Sequence, residues 1–190
     1  VGDDEGHVRR RQHRRVARER LRDVRAVGQP ARRDALVGSL AIYNHGNQIR
    51  IVTGSHDRTA RIWDEKGSCL ATLAGHSDCV SSVATYEQGG QIRIVTGSQD
   101  KRARIWDEKG RCLATLVGHN SYVCSVAIYN QGGQIRIVTG SSDVIGSSDA
   151  TARIWDEKGS CLVTLTGHSD GVYSVATYEK GGQIRIVTGS

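Results

Sequence analysis

The sequence contains no methionine among its 190 residues, so we expect a piece of a longer protein and not a chain that begins at a natural start. No apolar run approaches the roughly 20 residues that a membrane-spanning helix needs, and no signal peptide is recognisable at the N-terminus. These absences predict an intracellular chain, cytoplasmic or nuclear, with no membrane partner.

The five cysteines include no CxxC pair, which argues against both a disulfide framework and a zinc site. Cys69, Cys112 and Cys161 occupy the same position in successive sequence repeats. Such positions should lie too far apart for the Cα spacing of a disulfide, which is about 4.4–6.8 Å. We therefore expect reduced, packed thiols and no bound metal.

Motifs of the common enzyme classes are also missing. The sequence has no GxxxxGK phosphate loop, no GxGxxG and no HExxH. His76-Ser77-Asp78 and His168-Ser169-Asp170 contain the residue types of a hydrolase triad, but consecutive residues cannot supply its geometry. The sequence thus predicts no catalytic residue, no cofactor and no enzymatic activity.

The net charge of +6 is concentrated at one end of the chain. Residues 1–36, the Arg-rich head, hold 11 arginines and 6 acidic residues, which leaves 15 basic and 14 acidic residues for 37–190. The run RRRQHRR at 9–15 is typical of nuclear-import or nucleic-acid-binding patches, but its composition equally indicates a disordered tail. We favour the disordered tail and keep nucleic-acid binding by the head as the alternative function.

The heptapeptide IRIVTGS occurs four times, at 49–55, 92–98, 135–141 and 184–190. Its copies are 43, 43 and 49 residues apart, and a Trp-Asp pair recurs between them. Repeats of 40–45 residues with such a pair are typical of β-propellers built from four-stranded blades. We predict an all-β, incomplete propeller of about three and a half antiparallel blades.

Turn residues divide each repeat into strands. In the second repeat the predicted strands are 80–86, 91–97, 103–107 and 111–116, separated by short glycine-containing turns that make sequence neighbours antiparallel. The propeller fragment is predicted to cover 37–190, with blades at about 37–73, 79–116, 122–165 and, in part, 171–190. Its open blade edges favour association with other chains.

Gly-His at 75–76, 118–119 and 167–168, followed by Trp-Asp at 63–64, 106–107 and 155–156, resembles the WD-repeat propeller family, whose members include transducin-beta-like proteins. The resemblance implies a hydrogen-bonded structural tetrad of His, Thr, Asp and Trp in each blade. The residues that match it are His76, Thr96, Asp100 and Trp106 in the second repeat, His119, Thr139 and Trp155 in the third, Thr53, Asp57 and Trp63 in the first, and His168 and Thr188 in the fourth.

The third repeat carries six additional residues within SSDVIGSSD at 141–149. Asp143 keeps the four-residue offset from Thr139, whereas Asp149 keeps the six-residue offset to Trp155, so either can complete the tetrad. The intact run DATARIWD at 149–156 favours Asp149. Val144-Ile145 would then lie on a lengthened surface loop.

Differences between the repeats concentrate in two loops at one end of each predicted blade. The resemblance implies a non-catalytic scaffold for protein–protein interaction that docks a protein or peptide partner on such a rim. Basic side chains there would select acidic groups, and an aromatic side chain would serve as an anchor. The candidate rim residues are Arg58, Lys101, Arg102, Asp78, Ser121, Tyr122 and Asp170.

Overall fold

The computed structural model describes residues 36–142 and 149–190. These residues form fourteen strands, and they include no helix long and apolar enough to cross a membrane. The strands are β1 (Val37–His45), β2 (Gln48–Ser55), β3 (Thr59–Asp64), β4 (Cys69–Ala74), β5 (Val80–Gln88), β6 (Gln91–Ser98), β7 (Arg102–Asp107), β8 (Cys112–Val117), β9 (Val123–Gln131), β10 (Gln134–Ser141), β11 (Ala152–Trp155), β12 (Cys161–Leu165), β13 (Ser174–Lys180) and β14 (Gln183–Gly189).

Each group of four consecutive strands forms one antiparallel sheet in the order of the sequence. The first sheet is β1–β4, the second β5–β8 and the third β9–β12, and the fourth consists of β13 and β14. Within the described ranges these sheets stack one after another and do not close into a ring. The predicted fold class, an incomplete propeller of four-stranded blades, is confirmed.

Two-residue loops join the first two strands of every sheet. Gly89 and Gly90 connect β5 to β6 with φ angles of 58° and 71°, a left-handed conformation that glycine adopts without steric cost. This backbone matches the right-handed twist of the flanking strands, so it fixes their register. The pairing runs from Gln88 with Gln91 to Val80 with Ser98, with one bulge near the start of β5.

The core lies between sheets. Val52, Ile62 and Leu73 of the first sheet pack against Val80 and Trp106 of the second, and all five are at most 1% exposed. The second and third sheets repeat this contact with the equivalent residues. Because each sheet has apolar side chains on both faces, an inner sheet is covered by one neighbour on each side.

The glycine of each heptapeptide permits this close approach. A Cβ on Gly97 would lie 2.9 Å from Val123 Cγ1 and 2.9 Å from Val126 Cγ2 of the next sheet. Gly54 and Gly140 stand in the same relation to the valines that follow them. Gly189 in the fourth sheet has only Ser174 Cβ near that position, at 3.8 Å.

We therefore expect Gly97→Ala to lower the free energy of unfolding by about 1–3 kcal/mol, the usual cost of overpacking a filled core. Gly189→Ala is the matched control, since it adds the same methyl group where no following sheet stands, and it should cost less than about 0.5 kcal/mol. Urea unfolding in dilute solution measures both. Equal losses in the two variants would contradict this account of the glycine.

Candidate partner-binding rim and its supporting network

A chain of three side-chain hydrogen bonds crosses the second sheet. The Trp106 indole N–H donates to Thr96 Oγ1 at 2.8 Å, and Thr96 Oγ1 lies 2.7 Å from His76 Nε2. His76 Nδ1 lies 2.7 Å from Asp100 Oδ2. An ionised carboxylate can only accept, so Nδ1 carries the proton of this bond, and a neutral imidazole then accepts from the Thr96 hydroxyl at Nε2.

This chain joins four separate elements. Thr96 lies in β6 and Trp106 in β7, whereas His76 lies in the loop before β5 and Asp100 in the turn between β6 and β7. Asp100 Oδ2 also accepts the backbone N–H of Ser77 at 3.1 Å. The loop that enters the sheet and the turn between its middle strands are thereby held together at one end of the sheet.

The third sheet repeats the arrangement despite its longer loop. Trp155 donates to Thr139 at 2.8 Å, Thr139 lies 2.7 Å from His119, and His119 Nδ1 lies 2.9 Å from Asp149 Oδ2. Asp149 is 3% exposed. It therefore occupies the position that Asp100 has in the second sheet, whereas Asp143 and Val144-Ile145 lie outside the described residues.

As far as the structure describes them, the first and fourth sheets contain only part of this chain of hydrogen bonds. In the first sheet Trp63 donates to Thr53 at 2.8 Å. Asp57 instead accepts from Thr59 and forms an ion pair with Arg61 at 2.8 Å. In the fourth sheet His168 lies 2.7 Å from Thr188 Oγ1 and 3.0 Å from Ser190 Oγ.

Burial and hydrogen bonding oppose each other in the pKa values of these groups. Burial alone would raise the pKa of the Asp100 carboxyl, but the hydrogen bonds from His76 and from the backbone outweigh it, so this pKa lies below its ordinary value. The pKa of Asp149 is lowered in the same way. Burial lowers the pKa of His119, against the opposite effect of the Asp149 carboxylate beside it.

The connectivity of hydroxyl, imidazole and carboxylate is that of a hydrolase triad, but Thr96 cannot act as a nucleophile. Its side chain is fully buried, so no substrate can reach the hydroxyl oxygen, which also accepts the indole N–H. A triad needs its nucleophile beside an open site with donors for an oxyanion. The chemistry available to this chain of bonds is structural.

Basic side chains stand on the turns between the second and third strands of the first two sheets, and the network holds the second of these turns through Asp100. Arg58, Lys101 and Arg102 are exposed, and Asp100 Oδ1 accepts the backbone N–H of Arg102 at 3.1 Å. Arg58 and Lys101 have φ angles of 71° and 69°, a conformation that costs a non-glycine residue roughly 1–2 kcal/mol. Two exposed cations are thus held in strained backbone at equivalent positions of two turns.

The remaining residues of the predicted rim lie in the loops that enter the sheets, and all of them except the exposed Asp170 are less accessible than the basic residues of the turns. Ser121 is 1% exposed, so its assignment as a partner contact is wrong, because a partner cannot reach a buried residue. Asp78 and Asp170 accept the backbone N–H of the residue that follows each of them. Tyr122 is half-buried, and its backbone carbonyl accepts from Ser142 N at 3.0 Å.

The repeats also match a known family. The family model "WD domain, G-beta repeat" matches residues 29–64, 67–107, 110–156 and 159–190, which is most of the chain. The chain belongs to the WD-repeat family. The nuclear distribution protein nudF 1 of the fungus Talaromyces marneffei is 57% identical to it over 28 residues. That match spans 15% of this chain and 6% of the fungal protein.

Sequence reasoning missed a contact between successive WD-repeat units at the opposite end of the sheets. Tyr43 Oη donates to Glu108 Oε1 at 2.9 Å, and Tyr86 forms the same bond with Glu157. Burial, followed by this glutamate, raises the pKa of Tyr43 well above its ordinary value. The recurrence of Tyr and Glu at fixed positions of every complete repeat was the signal that could have revealed the contact.

Loss of the buried carboxylate should destabilise an inner WD-repeat unit more than an outer one. We expect Asp100→Asn to lower the free energy of unfolding by about 1–3 kcal/mol, because the amide cannot replace all the hydrogen bonds that the carboxylate accepts. Asp57→Asn is the matched control, and a partly exposed ion pair such as Asp57–Arg61 contributes less than about 1 kcal/mol. Denaturant unfolding measures both, and an equal or larger loss in Asp57→Asn would contradict a special role for the His76–Asp100 bond.

The lowered pKa of His119 predicts how stability depends on pH. The ordinary histidine pKa is 6.5, and the pKa of His119 in the folded chain is lower. At a pH between these two values the unfolded chain binds a proton that the folded chain does not. The free energy of unfolding should therefore fall as the pH drops below 6.5. A second fall should follow when the pH drops from the ordinary aspartate pKa of 3.8 through the lower pKa values of Asp100 and Asp149.

Denaturant unfolding between pH 8 and pH 5 checks the histidine contribution. His119→Gln should flatten the slope below pH 6.5 relative to the wild type. An unchanged slope in His119→Gln would contradict the assignment.

Proposed function

We propose that this WD-repeat chain is a non-catalytic scaffold that binds an acidic segment of a protein partner on the rim formed by Arg58, Lys101, Arg102 and Tyr122. WD-repeat domains are generally protein-interaction scaffolds, so binding of some protein partner follows from the family. For this chain in particular we propose where the partner binds and that the bound segment is acidic.

The observation that carries the proposal is the pair of exposed cations in left-handed backbone. Glycine would relieve the strain at Arg58 and Lys101, yet both turns hold a long basic side chain there. Strain of this kind is frequent where a residue serves binding instead of stability. Arg102 adds a further exposed cation beside Lys101, which favours a partner that presents carboxylates.

The network beneath the rim supports the same proposal. The turn that holds Lys101 is tied to the preceding loop through Asp100, whose carboxylate is 3% exposed. A turn that is already ordered loses little conformational entropy when a partner binds. The half-buried Tyr122 offers an amphipathic ring of the kind that is enriched among the strongest interface contacts.

The setting proposed for this function is the interior of the cell, in the cytoplasm or the nucleus. Cys69, Cys112 and Cys161 are exposed, so the expectation that they are packed is wrong. Their free thiols fit a compartment that keeps thiols reduced. Nucleic-acid binding by the Arg-rich head, the alternative function, concerns residues that lie outside the described ranges except for Leu36, and it stays a prediction.

Charge reversal tests the rim. We expect Lys101→Glu together with Arg102→Glu to abolish binding to acidic peptides of a peptide array while neutral peptides of equal length are unaffected, because attraction becomes repulsion. Lys109→Glu is the matched control, since Lys109 is an exposed lysine in the turn at the other end of the same sheet. Peptide binding that is the same in the double variant and the wild type would overturn the proposal.

Lys101→Gly separates the binding role from a structural one. Glycine tolerates the φ of 69°, so this variant should be more stable than the wild type by up to about 1 kcal/mol. Under the proposal it nevertheless binds acidic peptides more weakly. A variant that gains stability and keeps full binding would show that the lysine side chain is not used.

A further inference from the structure

A groove of about 240 Å³ lies at the end of the second sheet opposite to the rim. The loop between β5 and β6 and the turn between β7 and β8 form its walls, and three basic side chains line it, those of Arg93, Lys109 and Arg111. The second sheet has a described sheet on each side, so this groove is not part of a face at either end of the stack.

The two acidic residues of the groove already have hydrogen-bond donors. Asp107 Oδ1 accepts the backbone N–H groups of Lys109 and Arg111 at 3.0 Å and 2.8 Å. Glu108 Oε1 lies 2.9 Å from Tyr43 Oη and 3.0 Å from His45 Nδ1 of the first sheet. Three basic and two acidic lining residues leave the groove with a net charge of +1.

Two guanidinium groups are oriented by hydrogen bonds that use only part of their donors. Arg93 donates from Nη1 to Ile92 O at 3.1 Å and from Nη2 to Gln91 Oε1. Arg111 Nε donates to Asp107 Oδ2 at 3.1 Å, and among the described residues its two Nη groups have no partner. A guanidinium carries five N–H donors, so each of the two arginines keeps donors for a ligand.

Arg111 distinguishes this groove from the same region of the other two four-stranded sheets. Ser68 and Ser160 occupy its position in the first and third sheets. Their backbone N–H groups donate to the aspartate of the turn at 2.7 Å and 2.8 Å, as that of Arg111 does at 2.8 Å. The fold therefore accepts a serine at this position, and the Arg111 side chain, 77% exposed, is free to serve binding.

The size and the donors of the groove indicate one phosphate group as its ligand. Pockets that enclose a drug-sized molecule have about 300–1,000 Å³. The groove is smaller, at about 240 Å³, so it holds one group of a ligand and not a whole nucleotide. A phosphate monoester presents three acceptor oxygens and a charge of about −1.5 to −2 at pH 7, whereas a carboxylate has two oxygens and a single charge. Three cations in one groove suit the phosphate better.

We infer that this groove binds the phosphate group of a phosphorylated segment of a protein partner. Arg93 and Arg111 donate to the phosphate oxygens from their guanidinium groups, and Lys109 adds its charge. The rest of the segment lies outside the groove. That the ligand is a protein rests on the proposed scaffold function, but the site is separate from the rim and does not depend on it.

Pools of short degenerate peptides with one fixed central residue test the phosphate. The wild type should bind the phosphoserine pool at least tenfold more tightly than matched pools with serine or glutamate. Arg111→Ser should weaken binding of the phosphoserine pool about tenfold or more, because it removes the guanidinium and restores the residue of the first and third sheets. Equal binding by this variant and the wild type, or by the phosphoserine and glutamate pools, would refute the inference.

The third sheet supplies the reciprocal test. It already has the other two cations at equivalent positions, Arg136 and Lys158, and Arg136 donates to Ile135 O at 3.1 Å as Arg93 does to Ile92 O. Adding Ser160→Arg to Arg111→Ser should therefore restore binding of the phosphoserine pool. A double variant that binds no better than Arg111→Ser would count against the inference. Circular dichroism of each variant verifies that its fold is retained.

Two further measurements separate this site from a site for free phosphate and from the rim. Inorganic phosphate should compete with the phosphoserine pool only at concentrations at least tenfold higher, and equal potency would contradict a ligand carried on a protein segment. Lys101→Glu with Arg102→Glu should keep the preference for phosphoserine over glutamate, and its loss in that variant would place the site on the rim. Arg111→Ser should keep the binding of unphosphorylated acidic peptides, so failure of the rim proposal and failure of this inference appear in different variants.

Discussion

The structure depends on one constraint: every sheet of this chain is apolar on both faces. A single four-stranded sheet can cover neither face by itself, so burial requires a neighbour on each side. Val80 and Trp106 of the second sheet are almost completely buried because the first sheet lies against them. The glycine of the heptapeptide is a consequence of the same constraint, since any larger side chain there would hold the sheets apart.

Polar groups inside such a stack need partners, and the Trp–Thr–His–Asp chain supplies them in order. The indole N–H, the hydroxyl and the imidazole each find a partner, and the last acceptor is a carboxylate in the turn. Because a buried polar group without a partner is costly, the turn is held wherever the chain of bonds is complete. In the first sheet Asp57 pairs with Arg61 instead, and Trp63 is only half-buried.

Repetition made much of this predictable from the sequence. The glycine pairs and the β-branched runs indicated antiparallel strands, and the recurring Trp-Asp pairs indicated stacked sheets, so the fold class follows from local chemistry repeated at a fixed period. Contacts between repeats were harder to predict. Nothing local to Tyr43 indicates Glu108, since their meeting depends on how two sheets pack, and the burial of Ser121 depends on the path of its loop.

The repeats share one backbone geometry but differ in their exposed side chains, and the reason is the residue at which the Trp–Thr–His–Asp chain of hydrogen bonds ends. Asp100 is the last acceptor of the chain of bonds and also the residue directly before Lys101, so the same turn fixes the fold on its inner side and presents a cation on its outer side. Replacing the exposed side chain leaves the carboxylate and its partners in place. Successive repeats can therefore differ in charge at this position, as Arg58, Lys101 and Ala150 do, while their sheets keep the same heptapeptide and the same hydrogen-bonded turn residues.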